Sequence, residues 1–216
     1  MKIDIIIPYK EVFSSQKASA VSLTIKNSSE FSIFKKYISV FGQFTENPFK
    51  DISFKGIKIN KFFHFGKNNS ILTNYFKLTK TNNDKKIIEI HNRPYLFNKA
   101  IRVENRFQIT LHFHNDPRDM KGSKSIKERI FIAKNAPAVY FVSEYIKSCF
   151  LDGISESFEN LYVIPNAIQR TITKKPIKVK EIIFVGRLVP EKGCHLYVGA
   201  IRNLVKAYPE WNFKII

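Results

Sequence analysis

Short apolar runs alternate with amphipathic stretches along most of this chain. The run Ile3 to Ile7, ended by Pro8, predicts a buried strand, and a polar loop through Ser14, Ser15 and Gln16 follows it. Ala18, Val21 and Ile25 stand at near-helical spacing and predict a helix from Ala18 to Lys26. Tyr37 to Phe41 reads as a second strand. Between Phe44 and Gly66 the pattern is irregular, with turns at Asn47-Pro48 and Gly56 and room for short strands. Asn69 to Leu78 gathers Ile71, Leu72, Tyr75, Phe76 and Leu78 largely on one helical side.

The middle of the chain is more regular. Strands are predicted at Lys86 to Ile90, Phe107 to Phe113, Ala138 to Val142 and Leu161 to Ile164. Helices are predicted from about Pro94 to Ile101, from Ser125 to Lys134, and after Ser143. Ser125 and Ser143 are suited to cap those last two helices, because a serine oxygen can accept from a free backbone N–H of the first turn. Gly153 can close the second of them. This alternation predicts an α/β protein with a mostly parallel sheet over residues 1–168.

Residues 169–180 are basic, contain Pro176 and read as a linker. A new strand begins at Glu181. Tyr197, Ile201, Leu204, Val205 and Tyr208 mark one helix face before Pro209, and Trp211 to Ile216 begins another strand. One helix and two strands bury too little apolar area to stand alone at roughly 25 cal/mol per Å2. The expectation is therefore an incomplete second domain over 181–216, in a C-terminally truncated chain or one that depends on a partner.

Composition narrows the partners. Lys plus Arg is 36 against 18 acidic residues, a net charge of +18. Such a charge suits anionic partners. Only eight of the cations are arginine, and the cations are spread along the chain, so dispersed solvated charge is the first expectation. A basic patch facing a membrane is the second, and nucleic-acid binding, which needs a clustered stripe, is the least favoured. Cys149 and Cys194 form no Cys-x-x-Cys pair, which fits a reducing compartment and gives no zinc signature. No apolar run is long enough for a membrane span. A cytoplasmic protein is expected, with peripheral contact to the membrane left open.

Polar residues collect where the strands end: Ser14 to Ser19, His91 to Arg93, His114 to Asp116, Ser143-Glu144, Asn166, and Gly186 to Gly193. Ligands of open parallel sheets bind outside the carboxyl ends of the strands. The last cluster, Gly186-Arg187-Leu188-Val189-Pro190-Glu191-Lys192-Gly193, follows the apolar run Ile182 to Val185. Arg187 and Lys192 bracket the loop ahead of a helix N-terminus, where cations, free N–H groups and the helix dipole favour a diphosphate. The plain alternatives are a solvated cation pair, a loop histidine at 114, surface groups at 91 and 93, a turn residue at 166, and a helix-N-terminal charge at Glu144. His112 and His114 alternate on one strand as metal ligands can, yet no third ligand lies near them in the sequence and no metal site is expected.

With those residues in view, the chain resembles the retaining glycosyltransferases of family 4, which have the GT-B fold of two Rossmann-like domains. The resemblance rests on Thr110-Leu111-His112-Phe113-His114-Asn115-Asp116, Phe141-Val142-Ser143-Glu144-Tyr145-Ile146-Lys147, Val163-Ile164-Pro165-Asn166-Ala167, and Phe184-Val185-Gly186-Arg187 with Glu191-Lys192-Gly193. The segments at Ile88 to Pro94 and His114 to Pro117 look like members that build bacterial envelope or lipopolysaccharide sugars. The resemblance implies that Arg187 and Lys192 grip the diphosphate of a nucleotide-sugar donor, with Gly186 and Asn166 also on the donor side. It implies that His114 contacts the transferred sugar or its reacting centre. His91, Asn92, Arg93, Asn115 and Asp116 would lie on the acceptor side, facing a glycan or lipid-linked acceptor.

The same resemblance implies a retaining transfer with no metal and no other cofactor, and no Asp-x-Asp pair follows a strand. The loop after the first strand usually carries a Gly-Gly pair. Ser14 to Ala20 contains no glycine, so Ser15 and Ser19 are weak candidates for that phosphate loop. The Glu-x7-Glu motif of the family would lie past Ile216, and residues 1–216 alone are expected to be inactive. The alternative reading is a degenerate, non-catalytic member that binds a glycan or a partner.

Overall fold

The computed structural model describes residues 1–59, 66–80, 85–168 and 177–216. Most of the linker expected over 169–180, and the end of the irregular stretch before Gly66, fall outside the described residues. The chain divides into two compact units, Met1–Gln169 and Arg170–Ile216.

In the first unit the order is β1 (Lys2–Ile6), α1 (Ala20–Glu30), β2 (Ile38–Gln43), β3 (Ser53–Ile57), α2 (Lys67–Thr79), β4 (Lys86–His91), α3 (Pro94–Val103), β5 (Gln108–Phe113), α4 (Ile126–Asn135), β6 (Val139–Phe141), α5 (Glu144–Leu151) and β7 (Leu161–Val163). The strands form one sheet in the order β3-β2-β1-β4-β5-β6-β7. Every pairing is parallel. The order reverses direction at β1, so the carboxyl ends of β1 and β4 flank the switch point at which such sheets bind ligands.

Successive strand residues point to opposite faces, and the two faces are packed unequally. Ile88 and Ile90 of β4, Leu111 and Phe113 of β5, and Phe141 of β6 bury against Ile71 and Tyr75 of α2, Leu96 and Phe97 of α3, Ile132 of α4 and Phe150 of α5. On the other face Ile5 and Ile7 pack with Ile38 and Val40 of β2 against Val21 and Ile25 of α1. That face continues through Glu89, His91, His112 and Tyr140. The register pairs Ile5 with Glu89, His91 with His112, and His112 with Tyr140.

Helix starts carry their own chemistry. Ser125 and Ser143 cap α4 and α5 as their positions predict, and Glu128 completes a capping box with Ser125. The first helix differs from its expected span of Ala18 to Lys26. Ser19 and Ser22 cap each other, so it starts at Ala20, and it runs on to Glu30 because Ser29 is buried and Lys26 pairs with Glu30. The second strand starts at Ile38, since Lys35–Tyr37 closes as a 3-10 turn.

Two buried polar systems lock this unit. Asp4 of β1 accepts from Tyr75 Oη at 2.7 Å and pairs with Lys86 Nζ at 3.1 Å. Burial and the Asp4 carboxylate both raise the pKa of the Tyr75 phenol, so it stays a donor. Buried Arg129 donates to the carbonyls of Phe150 at 2.7 Å and Asp152 at 2.5 Å, at the end of α5, and to that of Lys124 at 2.8 Å, ahead of α4.

The second unit is β8 (Glu181–Phe184), α6 (Cys194–Ala207) and β9 (Asn212–Ile215), with the strands paired in parallel. Trp211 precedes its strand, and the helix starts at Cys194, earlier than the apolar face alone marks. Tyr197 Oη donates to the carbonyl of Ile182 at 2.7 Å and clips α6 to β8. No described residue of α6 is fully buried. No helix among the described residues is long and apolar enough to cross a membrane.

Candidate functional site

The clearest gathering of polar groups lies at the carboxyl ends of β4 and β5. Asn92 follows β4 with φ at +55°, a left-handed conformation that asparagine tolerates better than most residues. Its N–H donates to the His112 carbonyl at 2.8 Å, and its side-chain oxygen accepts from the His114 N–H at 3.2 Å. Arg93 then turns the chain into α3, with Pro94 at the first helical position, where its missing N–H costs nothing. Arg93 Nη1 donates to the Asn92 carbonyl at 2.6 Å. Gly122 lies against this start: a Cβ there would come within 2.5 Å of the Tyr95 nitrogen.

Three imidazoles stack across the two strands. The rings of His91 and His112 are 4.2 Å apart and 20° from parallel, and those of His91 and His114 are 5.2 Å apart. His91 Nδ1 lies 2.9 Å from His114 Nε2, a hydrogen bond whose direction depends on the tautomers. Burial holds all three neutral. His91 is driven well below the ordinary imidazole range by burial and then by His114. His112 is pushed down to about 3 by burial and His91, against an upward pull from Glu89, and burial lowers His114 to about 4.

A groove of about 340 Å3 runs over this side of the sheet. Its lining includes Glu89, His91, His112, His114 and Tyr140, with Asn166 from the segment after β7. The structure thus brings His91, Asn92, Arg93, His114 and Asn166 to one end of one sheet. Asn115 is exposed beside them and reaches Asn92 only through a long 3.5 Å contact.

Other predicted site residues have structural partners. The Asp116 carboxylate is engaged by Arg118, whose guanidinium donates to it at 2.6 Å and holds its pKa low. It also caps the 3-10 turn Pro117–Asp119, so its acceptor capacity is largely used within the chain. Ser19 Oγ accepts from the Ser22 N–H and serves α1, while Ser15 is exposed on the loop.

In the second unit Gly186 follows β8, and a Cβ at that position would lie 3.9 Å from the Cβ of Lys192. The loop therefore folds back on itself. Pro190–Lys192 forms a 3-10 turn, and Gly193, at φ +73°, leads into α6. Arg187 and Lys192 are both exposed on this loop.

Glu89, His112 and Tyr140 belong to the groove but not to the predicted site. The expectation that His112 lacks a third ligand is overturned in space: Glu89 Oε2 is 3.6 Å from His112 Nε2 and 3.7 Å from His91 Nε2. The alternation of Glu89 with His91 was the available signal, and only the β4–β5 register connects it to His112.

No protein-family model matches the chain. Anabaena Alr3699/HepE, solved in complex with UDP-glucose, superposes at a TM-score of 0.65 with 15% identity, over 100% of this chain and 60% of that one. The fold is that of the GT-B glycosyltransferases. The apo form of the lipopolysaccharide outer core galactosyltransferase WaaB shares it, at a TM-score of 0.60 and 20% identity over 100% of this chain and 60% of that one. In sequence, the chain is similar to the uncharacterised glycosyltransferase MJ1178 of Methanocaldococcus jannaschii. The two are 27% identical over 191 residues, covering 83% of this chain and 50% of that protein. The chain spans about half the length of this curated relative. Within this fold the histidine cluster sits at the carboxyl ends of β4 and β5 in the first sheet, and the Gly186 loop follows the first strand of the second unit.

Proposed function

We propose that this chain is the acceptor-side domain and the beginning of the donor domain of a retaining glycosyltransferase. The protein would move a hexose-type sugar from a nucleotide-diphosphate donor to a glycan or lipid-linked acceptor in cell-envelope polysaccharide synthesis. The observation that carries the reading is the groove that His91, His114 and Asn166 line at the carboxyl end of a seven-stranded parallel sheet, with Asn92 bonded to the His114 N–H and Arg93 next to it in the chain. Two likenesses support it: MJ1178 is named as a glycosyltransferase, and HepE was solved with UDP-glucose. The envelope assignment leans on the likeness to WaaB.

The chemistry follows from residue types. Transfer breaks the anomeric C–O bond and leaves negative charge on the departing nucleoside diphosphate. Arg187 and Lys192 would stabilise that charge more in the transition state than before it. Two cations at the diphosphate would take the place that a metal ion can fill there. His114, neutral at pH 7, offers one ring nitrogen as donor or acceptor toward the sugar. The leaving phosphate would take the acceptor proton, and the product keeps the donor's anomeric configuration. The protein would work in the cytoplasm, with its excess of lysine able to hold it near an anionic membrane surface.

Donor turnover by the full-length protein tests this directly. Purified protein is incubated with a panel of UDP-, GDP- and ADP-sugars, with and without lipid-linked acceptors, and product anomers are assigned by NMR. Release of nucleoside diphosphate with retained configuration is expected. Donor binding without turnover on any acceptor would favour the degenerate binding protein, a reading that the glycine-free loop and the engaged Ser19 already suit.

A further inference from the structure

The geometry points to a divalent transition-metal site formed by Glu89, His91 and His112 on the open face of the first sheet. Zinc is the ion it fits best. The three ligand atoms all lie within 4.8 Å of one another, and Glu89 Oε2 is 3.7 and 3.6 Å from the two imidazole Nε2 atoms. Ligands about 2.0 to 2.1 Å from a tetrahedral zinc stand roughly 3.3 Å apart, so the rings of His91 and His112, now stacked 20° from parallel, would have to turn about their side-chain bonds to bring both in-plane lone pairs onto one ion.

Unsatisfied groups mark the place independently. Nε2 of His91 and Nε2 of His112 are both buried without a hydrogen-bond partner. The His91 side chain is only 5% exposed. A buried polar atom without a partner is destabilising, and here two such atoms face one carboxylate. The separations to Glu89 are too long for hydrogen bonds but suit an ion held between the groups.

The surroundings also match what a bound ion requires. A histidine ligand ordinarily gives its other ring N–H to an acceptor, which fixes its tautomer. His91 Nδ1 is already 2.9 Å from His114 Nε2. With metal on Nε2, His91 must carry its proton on Nδ1 and donate it to His114. His114 then carries its own proton on Nδ1. The ion would thus set which nitrogen of His114 can donate, through a positioning chain rather than by touching a diphosphate. Glu89 and His112 keep 23% and 20% of their side-chain surface exposed along the groove, which gives the ion an entry path. Three protein ligands leave one position for water or a groove-bound group.

The test is ion binding without substrate, so its outcome is separate from whether the protein transfers a sugar. Full-length protein is stripped with EDTA and titrated with Co2+ while visible absorption is followed. The zinc dissociation constant comes from competition with a chromogenic chelator. One equivalent per site is expected, with the bands of a low-symmetry nitrogen and oxygen site. His112→Ala and Glu89→Gln alter partly exposed side chains, and their folding is checked by circular dichroism. Each should weaken zinc by more than the roughly 10- to 100-fold that losing an outer-shell partner costs. His195→Ala, at an exposed position on α6, should leave binding unchanged. Absence of binding by the folded wild-type protein at micromolar ion would overturn the site. So would full retention of affinity in both folded ligand variants.

Discussion

The side-chain oxygen of Asn92 accepts a hydrogen bond from the backbone N–H of His114 at 3.2 Å and ties the end of β4 to the end of β5. Asn92 does this from a left-handed backbone conformation. Two replacements separate the contributions. Asn92→Gly removes the tether but suits the backbone. Asn92→Ala removes the tether and adds strain of about 1 to 2 kcal/mol. Alanine should therefore lower the urea midpoint more than glycine does. Both should broaden or shift the His114 imidazole signals in NMR spectra. Equal midpoints for the two variants would show that the conformation is not a constraint.

The buried imidazoles give stability a pH dependence with a definite sign. In EDTA-treated protein His112 and His114 titrate near 3 and 4 when folded, and His91 also titrates well below its ordinary value. Unfolded, each takes up a proton at about 6.5. Below that pH the unfolded state binds more protons, so stability falls as pH drops from about 6.5 toward 4 and is unaffected by these groups above about 7. The loss between pH 7 and pH 5 should be on the order of 2 kcal/mol for each such histidine, measured by urea unfolding at a series of pH values. His114→Gln should reduce that slope. A flat profile over the window would contradict neutral, buried histidines.

On the proposed reading, Arg187→Ala and Lys192→Ala should each lower kcat by about 10²- to 10³-fold, the usual cost of removing a group that stabilises developing negative charge. Both side chains are exposed, so thermal stability should hardly change. Arg187→Lys keeps the charge but not the two-pronged geometry and should recover only part of the rate. Full-length enzyme with unaltered kcat in both alanine variants would remove these residues from the mechanism.

Much of the α/β order is legible in the sequence because strand and helix starts carry separate local signals. Ser125 and Ser143 mark helix starts by themselves, and Pro8 stops β1 where the apolar run ends. Lengths are less legible where a polar residue is buried for tertiary reasons, as with Ser29 at the end of α1. β3 hides in an irregular stretch because of its five residues only Ile57 is buried. The candidate site is legible as residues gathered at strand ends, since a parallel sheet brings those ends together. The Glu89–His91–His112 cluster is not. It depends on a register that pairs residues 21 positions apart, which no periodicity in one segment encodes.

The Asp4–Lys86–Tyr75 system offers the sharpest test of what holds the first sheet together. The Lys86 side chain is 1% exposed and that of Asp4 6%, so each charge depends on the other for solvation. Asp4→Asn should destabilise the protein by roughly 3 to 5 kcal/mol, because it leaves a buried ammonium without its counter-ion. Tyr75→Phe removes one hydrogen bond to a charged group and should cost about 1.5 to 3 kcal/mol. Replacing all three with apolar residues, as Asp4→Leu, Lys86→Met and Tyr75→Phe together, removes both charges and the phenol at once. If the cost of Asp4→Asn is that of a stranded charge, the triple variant must be more stable than the single one in urea unfolding. A triple variant less stable than Asp4→Asn would mean that the ion pair itself contributes net stability, and that β1 and β4 are joined by attraction rather than by mutual burial.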